Sequence, residues 1–433
     1  MVFAVKVYSQ NKLTYREIDS LSYNYLLNND WKNLKKISKE AINEKIDYYY
    51  LRLRYGIALY NRKSYAGAAK QFENAYKLNS YDTLLQEYLY YSYLLSGQYE
   101  KLEYYKDGIS KSFKNKLGLK DNNIKSIFFE TDIFINKDYT TLKEMDIYSN
   151  YVVNDQMFPV YSSNNMFYLV HKLGDKSTLS HGLTYYYSDK IQRIQEIIGR
   201  ISQYNSYTSQ IQYYIKADFT FNHGLKLNMA THFIGVKSLY EDITLLSQPG
   251  TILKRPYFSE GIYKNTDKIY YLSLSKRSGY YYMQASAASG KLNNILQRQF
   301  NFNMIIYPLG NEHFFLGNNL ISLFQKQKNQ LLFMPVIGLK YKNLSVSTSY
   351  IEGDIENYHE NEALIVYNGI DIIKKKYTIM VNCKLSKKLS LDAGYQYINY
   401  ESWIDMYGLD MNIYRKYYSY NINMFSIGFL YNF

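Results

Sequence analysis

The hydrophobic pattern changes its period once along the chain, near residue 120. From Tyr15 to Phe113 the apolar residues recur at the spacing of amphipathic helices, and proline is absent. From about residue 124 apolar and polar residues alternate, as they do along β-strands that bury one face. The sequence therefore predicts an α + β two-domain protein, with a helical domain over 11–120 and a β domain over 121–433. The predicted helices are 15–27, 31–43, 47–61, 65–78, 82–96 and 99–112.

The helical segment has an internal repeat. Trp31, Tyr65 and Tyr99 lie 34 residues apart, and each opens the second helix of a predicted pair. The central copy places a glycine where two helices approach, two alanines at their crossing and a phenylalanine between them. These packing residues are Gly56, Ala68, Ala75 and Phe72. A 34-residue period of helix pairs with such residues resembles the tetratricopeptide repeat.

A repeat of this kind implies a small solenoid whose concave face is free to hold a partner. By repeat position, the candidates for partner binding are Tyr50, Leu53, Ile57 and Tyr60. The alternative reading is that these side chains pack inside the domain or against the β domain.

The strands of the β domain are long, and short connections alternate with longer ones. Tight turns are predicted near 173–176, 223–224, 276–279, 308–311, 342–343 and 386–388. Longer segments lie mostly between them, at 188–205, 239–266, 355–374 and 401–415. This is the pattern of outer-membrane barrels, in which the short turns face the periplasm. The six turns imply twelve strands. With the last strand and a first strand near 125–136, the total is about fourteen antiparallel transmembrane strands. The first strand could instead lie near 149–160.

The last strand carries the most specific signal. Phe425, Ile427, Phe429, Tyr431 and Phe433 share one face, and the sequence stops on Phe433. Its end resembles the C-terminal assembly signal of bacterial barrels, which the barrel-assembly machinery reads during biogenesis. The residues that match that signal are Ser426, Gly428, Tyr431 and Phe433.

If the apolar face meets outer-membrane lipid, the polar face lines the lumen. The residues placed there are Lys216, Asp218, Lys226, His232, Lys340, Lys376, Lys384 and Asp392. A basic-leaning lumen could guide an anionic polymer or an unfolded chain. Alternatively, the charges pair with one another inside a plugged, structural interior.

Composition excludes several classes of protein. The single cysteine, Cys383, excludes a disulfide scaffold, and the mean hydropathy of −0.39 argues against a helical membrane protein. No catalytic motif and no metal-ligand spacing among the six histidines is found, so no enzyme activity, metal or cofactor is predicted. The net charge of +13 comes from dispersed lysines, which does not indicate nucleic-acid binding. Residues 1–10 are either the remnant of a signal peptide or a frayed end.

The order of repeats and barrel resembles the surface lipoprotein assembly modulator (Slam) proteins, whose barrel also has fourteen strands. It is also similar to exopolysaccharide exporters, which carry a longer repeat array. The first resemblance implies a periplasmic repeat domain that receives a client protein or lipoprotein and assists its export or surface assembly. The alternatives are a polysaccharide or solute pore and a barrel that anchors a larger envelope complex.

Overall fold

A computed structural model describes residues 13–109, 111–118, 122–145, 151–174, 176–247, 254–325, 328–410 and 412–433. The possible signal remnant at 1–10 lies outside the described residues. The N-terminal helices are α1 (Tyr15–Leu27), α2 (Trp31–Asn43), α3 (Tyr49–Asn61), α4 (Tyr65–Leu78), α5 (Thr83–Leu95), α6 (Tyr99–Gly108) and α7 (Lys111–Lys116). Five of the six predicted helices agree to within two residues, whereas the sixth is divided, since α6 stops at Gly108. No helix in these ranges is both long and apolar enough to cross a membrane.

Local side-chain chemistry sets the helix starts. Thr14 and Glu17 form a capping box at α1, in which the Glu17 carboxylate accepts from the Thr14 backbone N–H at 2.7 Å. The Asp82 carboxylate accepts from the Leu84 and Leu85 N–H groups that begin α5. These caps satisfy backbone donors that have no partner inside the helix.

The four predicted repeat-packing residues meet in the core of the helical domain. The Phe72 ring and the alanines at 68 and 75 are fully buried. Phe72 stacks on Tyr88 of α5, with ring centroids 5.3 Å apart, and a side chain at Gly56 would overlap the Phe72 ring. Glycine at this position therefore lets α3 and α4 approach around the phenylalanine. Assignment of the hairpins to the tetratricopeptide family stays a prediction.

The C-terminal part of the chain forms a closed antiparallel barrel of fourteen strands. The wall consists of β1 (Ile124–Asn136), β2 (Val153–Gly174), β3 (Ser177–Glu196), β4 (Ile201–Thr220), β5 (Leu225–Ser247), β6 (Lys254–Ser278), β7 (Tyr281–Leu292), β8 (Ile295–Ile306), β9 (Phe314–Gln325), β10 (Lys328–Tyr341), β11 (Leu344–Ile355), β14 (Ile372–Lys384), β15 (Leu389–Tyr407) and β16 (Ile413–Asn432). Two short strands, β12 (Tyr358–Glu360) and β13 (Ile365–Tyr367), pair with each other apart from the wall. The first strand, β1, corresponds to the predicted strand near 125–136 and not to the alternative near 149–160. A short helix, α8 (Tyr139–Glu144), follows it.

The alternation places apolar side chains outside the barrel and polar ones inside. On β4, Ile211 and Tyr213 are 64 % and 41 % exposed, whereas the neighbouring Gln210 and Gln212 are each 7 % exposed. The same holds on β16, where the five apolar residues that end the chain on Phe433 are all exposed. In a closed barrel, every strand of the wall has a neighbour on both sides, so its backbone N–H and C=O groups find partners and no edge is left open. This is the construction of outer-membrane barrels, and the chain is an outer-membrane β-barrel protein.

The six predicted tight turns all occur between strands, at one end of the barrel. Three of the predicted long loops are wrong: most of residues 188–205 belong to β3–β4, most of 239–266 to β5–β6 and most of 401–415 to β15–β16. Strands β3 to β6 have 20 to 25 residues, against 12 to 14 in β7–β11. The wall is therefore tall on one side and short on the other. The sequence missed this because a strand that leaves the bilayer keeps its alternation in solvent.

Phe72 provides a test of the helical packing. We expect Phe72→Ala to destabilise the helical domain by about 3–5 kcal/mol, because it removes a fully buried ring that α3 and α5 enclose. Circular dichroism of the full chain should show that the helical signal is lost at a lower temperature. The barrel should stay folded, as judged by its heat-modifiable migration in SDS gels. Tyr81→Ala is the control, since this tyrosine is 89 % exposed. Equal melting of the two variants would contradict the packing described here.

Candidate functional site in the barrel lumen

The chain between β11 and β14 folds into the barrel instead of projecting from it. We call residues 356–371 the lumen loop. It contains the β12–β13 hairpin, whose two strands are joined by a short 3₁₀ turn at Asn361–Ala363. Three consecutive residues of this turn have positive φ, between 48° and 65°. Tyr358, His359 and Ala363 are each 1 % exposed, so the loop is enclosed by the wall.

The tip of the loop is held by an ionic network. The Glu362 carboxylate lies 2.7 Å from the Lys216 ammonium and accepts from the side-chain amides of Asn228 and Gln284 at 2.5 and 3.1 Å. Asp218 lies 3.4 Å from Lys216 and 3.3 Å from Lys226 on the same wall. The predicted lumen residues at 216, 218 and 226 therefore come together. Their partner Glu362 was not predicted.

The wall also binds the backbone of the loop. The Tyr214 hydroxyl donates to the Glu362 carbonyl at 2.9 Å, and His232 Nδ1 donates to the Ala363 carbonyl at 2.7 Å. The Gln299 side-chain amide donates to the His359 carbonyl at 3.0 Å. His232 is thus inside the barrel, as predicted, and fixes the turn of the loop through its backbone. A carbonyl only accepts, so Nδ1 carries the proton.

A second ion pair holds the hairpin against β14. Lys376 contacts the Glu360 carboxylate and the Tyr367 hydroxyl, the latter at 2.9 Å. The Lys376 side chain is 3 % exposed and that of Glu360 14 %. A buried pair of this kind depends on both partners, because either charge alone would lose its hydration without compensation.

An amide cluster and one phenol hold the end of the loop that leads into β14. The Asn368 side chain accepts from Gln210 at 3.1 Å and donates to Asp267 at 3.3 Å, while its carbonyl accepts from Asn293 at 2.7 Å. The Tyr420 hydroxyl donates to Asp371 at 2.7 Å. Strands on several sides of the barrel thereby contact one loop.

The loop lies between two cavities of the lumen. The larger has a volume of about 700 Å³ and the smaller about 440 Å³, and Asn361, Glu362 and Leu364 line both. The smaller cavity reaches Ser126 and Leu430, near the ends of β1 and β16 on the short-turn side. The larger is lined mainly by uncharged polar side chains and tyrosines, among them Ser162, Thr184, Ser188, Gln212, Tyr186 and Tyr400.

The end of the barrel opposite the short turns is further closed by α8. Leu142 of α8 is 2 % exposed and packs in one cluster with Ile321 and Ile351 of the wall. Above the end of β1, the tip of the β15–β16 hairpin pairs directly with β2, through Ile404–Tyr407. The lumen therefore has two inserted elements, the lumen loop and α8.

Three predicted lumen residues lie elsewhere or play a smaller part. Lys340 is at the short-turn rim, where it contacts Glu312 at 2.7 Å, and Lys384 is exposed at the turn before β15. Both predictions of a lumen position were wrong. These lysines are on the polar face of their strands, but at the ends of the strands, where this face lies outside the lumen. Asp392 does face inward, accepts from Asn382 at 2.7 Å and lines the smaller cavity.

The helical domain is attached to the short-turn rim. The Ala66 N–H donates to the Gly310 carbonyl at 2.8 Å, and the buried Arg277 guanidinium donates to the Ser96 carbonyl at 2.8 Å. The Tyr99 hydroxyl donates to Glu312 at 3.1 Å. Burial raises the pKa of the Tyr99 phenol, and the Glu312 carboxylate raises it further, so the phenol stays a donor.

The four candidates for partner binding divide into two groups. Tyr50 is 58 % exposed and Tyr60 is partly buried. Leu53 and Ile57 are only 7 % and 8 % exposed, inside the core of the domain. This corrects the predicted face, because the alternative reading of internal packing holds for these two residues.

No protein-family model matches the sequence, and no curated protein matches it. A FadL homologue of Pseudomonas aeruginosa has a TM-score of 0.45 and 9 % identity, with 71 % of this chain and 90 % of that one covered. The toluene transporter TodX of Pseudomonas putida gives 0.45 and 9 %, covering 72 % and 90 %. The translocator domain of autotransporter NalP from Neisseria meningitidis gives 0.29 and 9 %, covering 75 % and 93 %. Scores at this level identify no family.

Glu360 tests the attachment of the lumen loop. We expect Glu360→Gln to lower the free energy of opening the lumen loop by about 3–5 kcal/mol, because it leaves the Lys376 ammonium buried without its carboxylate. Hydrogen exchange of the backbone in 356–371 should accelerate, with little change in the wall. The double variant Glu360→Gln/Lys376→Met removes both charges and should recover much of the protection. Glu352→Gln, at an exposed pair, is the control. Unchanged exchange in Glu360→Gln would show that this ion pair does not hold the loop.

Proposed function

We propose that the protein is an outer-membrane transport barrel for small polar solutes, closed at rest by the lumen loop. The observation that supports this most directly is the position of the loop in the lumen, where Asn361, Glu362 and Leu364 line both cavities. In this proposal the short turns and the helical domain face the periplasm, as short turns do in bacterial barrels.

The contacts of the loop suit a movable closure. Its tip is attached by ion pairs and hydrogen bonds to Lys216, Asn228 and His232, while Tyr358 and Ala363 also pack in apolar clusters with the wall. Polar groups that separate can exchange these contacts for water, so opening costs much less than leaving them unsatisfied. The loop is also tethered at both ends to neighbouring strands of the wall, β11 and β14. It can therefore leave the lumen without opening the barrel.

Cavity size and lining favour a small solute over a protein chain. A volume of about 700 Å³ lies within the range of about 300–1,000 Å³ that is typical of small-molecule sites. Serine, threonine, glutamine and tyrosine side chains line it, and they can exchange hydrogen bonds with a hydroxylated solute. Passage of a client protein through this lumen would require both inserted elements to leave. The solute-pore alternative is thus favoured over protein passage.

Removal of the loop tests the gate. We expect a variant with 357–370 replaced by a short Gly-Ser linker to conduct ions steadily in planar bilayers, because the partition between the two cavities is gone. The unchanged protein should show only low, brief conductance. Liposomes that contain the variant should also swell in neutral sugars faster than liposomes with the unchanged protein.

The control replaces the tip of the β15–β16 turn, residues 408–412, by a linker, which leaves the lumen loop in place. This variant should conduct like the unchanged protein. If the loop replacement folds, as shown by its heat-resistant mobility in gels, and still neither conducts nor admits sugars, the gate is rejected. The barrel would then be an anchor for a larger complex.

The second candidate function is export or surface assembly of a periplasmic client protein or lipoprotein that docks on the helical domain. Tyr50 supports it, since its ring on α3 is 58 % exposed. Aromatic residues are enriched at protein–protein interfaces.

Site-specific cross-linking tests whether a client protein docks on the helical domain. A photoreactive residue at position 50 should capture a discrete periplasmic or surface protein in cells, because a docked client would cover this ring. The same residue at position 81, which is 89 % exposed, is the control. Identical products at both positions, or none at position 50, would contradict client docking at this face.

A further inference from the structure

Five cations lie on the outward face of β5–β8, at the end of the barrel away from the short turns, and Lys264 and Lys268 on β6 are four residues, or about 13 Å, apart. We call them the outer basic cluster, and all five are exposed: Lys237, Lys264, Lys268, Lys291 and Arg298. They share this face with the exposed apolar residues that continue along the same strands. The solute pathway and the helical domain lie on other surfaces.

The register sets these like charges against one another. Lys237 is directly opposite Lys264, and Lys268 is directly opposite Lys291. Arg298 faces Ser289, two residues before Lys291. Residues directly opposite each other in antiparallel strands have Cβ atoms about 4.5–5.5 Å apart, and like charges there are destabilising. Two such pairs therefore repel unless an anion lies between them.

No carboxylate of the described residues forms an ion pair with the cluster. The nearest acidic residues along these strands on the same face, Glu241 and Glu260, lie four residues from Lys237 and Lys264, which is about 13 Å at ~3.3 Å per residue. On the opposite wall the outward Lys375 is neutralised across the strands by Glu352, at 3.3 Å. The five cations have no such partner among the described residues, which leaves room for an external anion.

On its side toward the short turns, the cluster borders the apolar exterior of the barrel. Along β6 the outward residues change from Lys264 and Lys268 to Tyr270, Leu272 and Leu274, which are 58 %, 48 % and 47 % exposed. On β8 the outward residue after Arg298 is Phe300, which is 47 % exposed. Cations above an apolar, aromatic wall match a lipid with an anionic headgroup and acyl chains below it.

We propose that the outer basic cluster binds the phosphate groups of an anionic lipid in the outer leaflet. The two opposed lysine pairs each receive a phosphate, whose oxygens accept charge-assisted hydrogen bonds. The acyl chains lie along the wall below Lys268. Assignment to the outer leaflet rests on the orientation given under the proposed function, whereas lipid binding itself requires neither the gate nor transport.

Nanodiscs provide the test with the full chain. The protein is placed in zwitterionic lipid containing a small fraction of bisphosphorylated lipid A, and bound lipid is counted by native mass spectrometry. We expect the unchanged chain to retain it, and Lys237→Gln/Lys264→Gln/Lys268→Gln/Lys291→Gln to bind about tenfold more weakly or worse, since each lysine near an anionic surface contributes to attraction. The corresponding four Lys→Arg changes should preserve binding.

The control is Lys276→Gln/Lys342→Gln/Lys384→Gln/Lys387→Gln, which removes four exposed lysines at the short-turn end. It should bind like the unchanged chain, and heat-resistant mobility in gels verifies that each variant is folded. Equal retention by the two Gln variants would overturn the proposal. So would equal binding of lipid A without phosphates, or complete displacement by inorganic phosphate at ~100 mM, since the cluster would then be a site for any anion.

Discussion

Closure of the barrel is the constraint on which the rest of the structure depends. Lipid offers no hydrogen bonds, so a β-sheet in a membrane must pair its first strand with its last. Here β1 pairs with β16 over eleven positions, from Ser126 to Asn136. A closed barrel of fourteen strands is wider than eight-stranded barrels, whose interiors side chains can fill. The interior therefore needs water, a ligand or another part of the chain, and in this protein the lumen loop and α8 enter it.

Charge placement inside the barrel follows from the same constraint. A lysine such as Lys216 on the inner wall is costly unless a carboxylate meets it, and the wall supplies Asp218 as a first partner. Glu362, from a loop nearly 150 residues away in sequence, supplies the second. Loop position and wall charge are thus mutually dependent. The two readings of the lumen, a conducting passage and a plugged interior with paired charges, become states of one device in the proposed function.

Much of the fold could be predicted because it is local. Helix starts at Tyr15 and Thr83 follow from caps within three residues, and the tight turns follow from breaks in a two-residue period. The entry of 356–371 into the lumen could not be predicted this way, since it depends on partners far away in sequence. One signal was nevertheless present. Residues 363–367 read ALIVY, an apolar run that a solvent-exposed loop would seldom carry. Leu53 and Ile57 failed for a related reason, because a repeat position does not reveal which neighbours cover it.

The attachment of the helical domain and that of the lumen loop involve the same strands. The domain contacts the turns that contain Gly224, Tyr280 and Gly310, which join β4 to β5, β6 to β7 and β8 to β9. The tip of the loop is held from β4, β5, β7 and β8 through Lys216, His232, Gln284 and Gln299. Proximity along shared strands does not by itself couple the helical domain to the lumen loop. Coupling requires an element that has two discrete arrangements, with an equilibrium that both sites shift. The lumen loop is such an element if it opens. A partner on the helical domain would then influence the gate only by binding its open and closed states with different affinities.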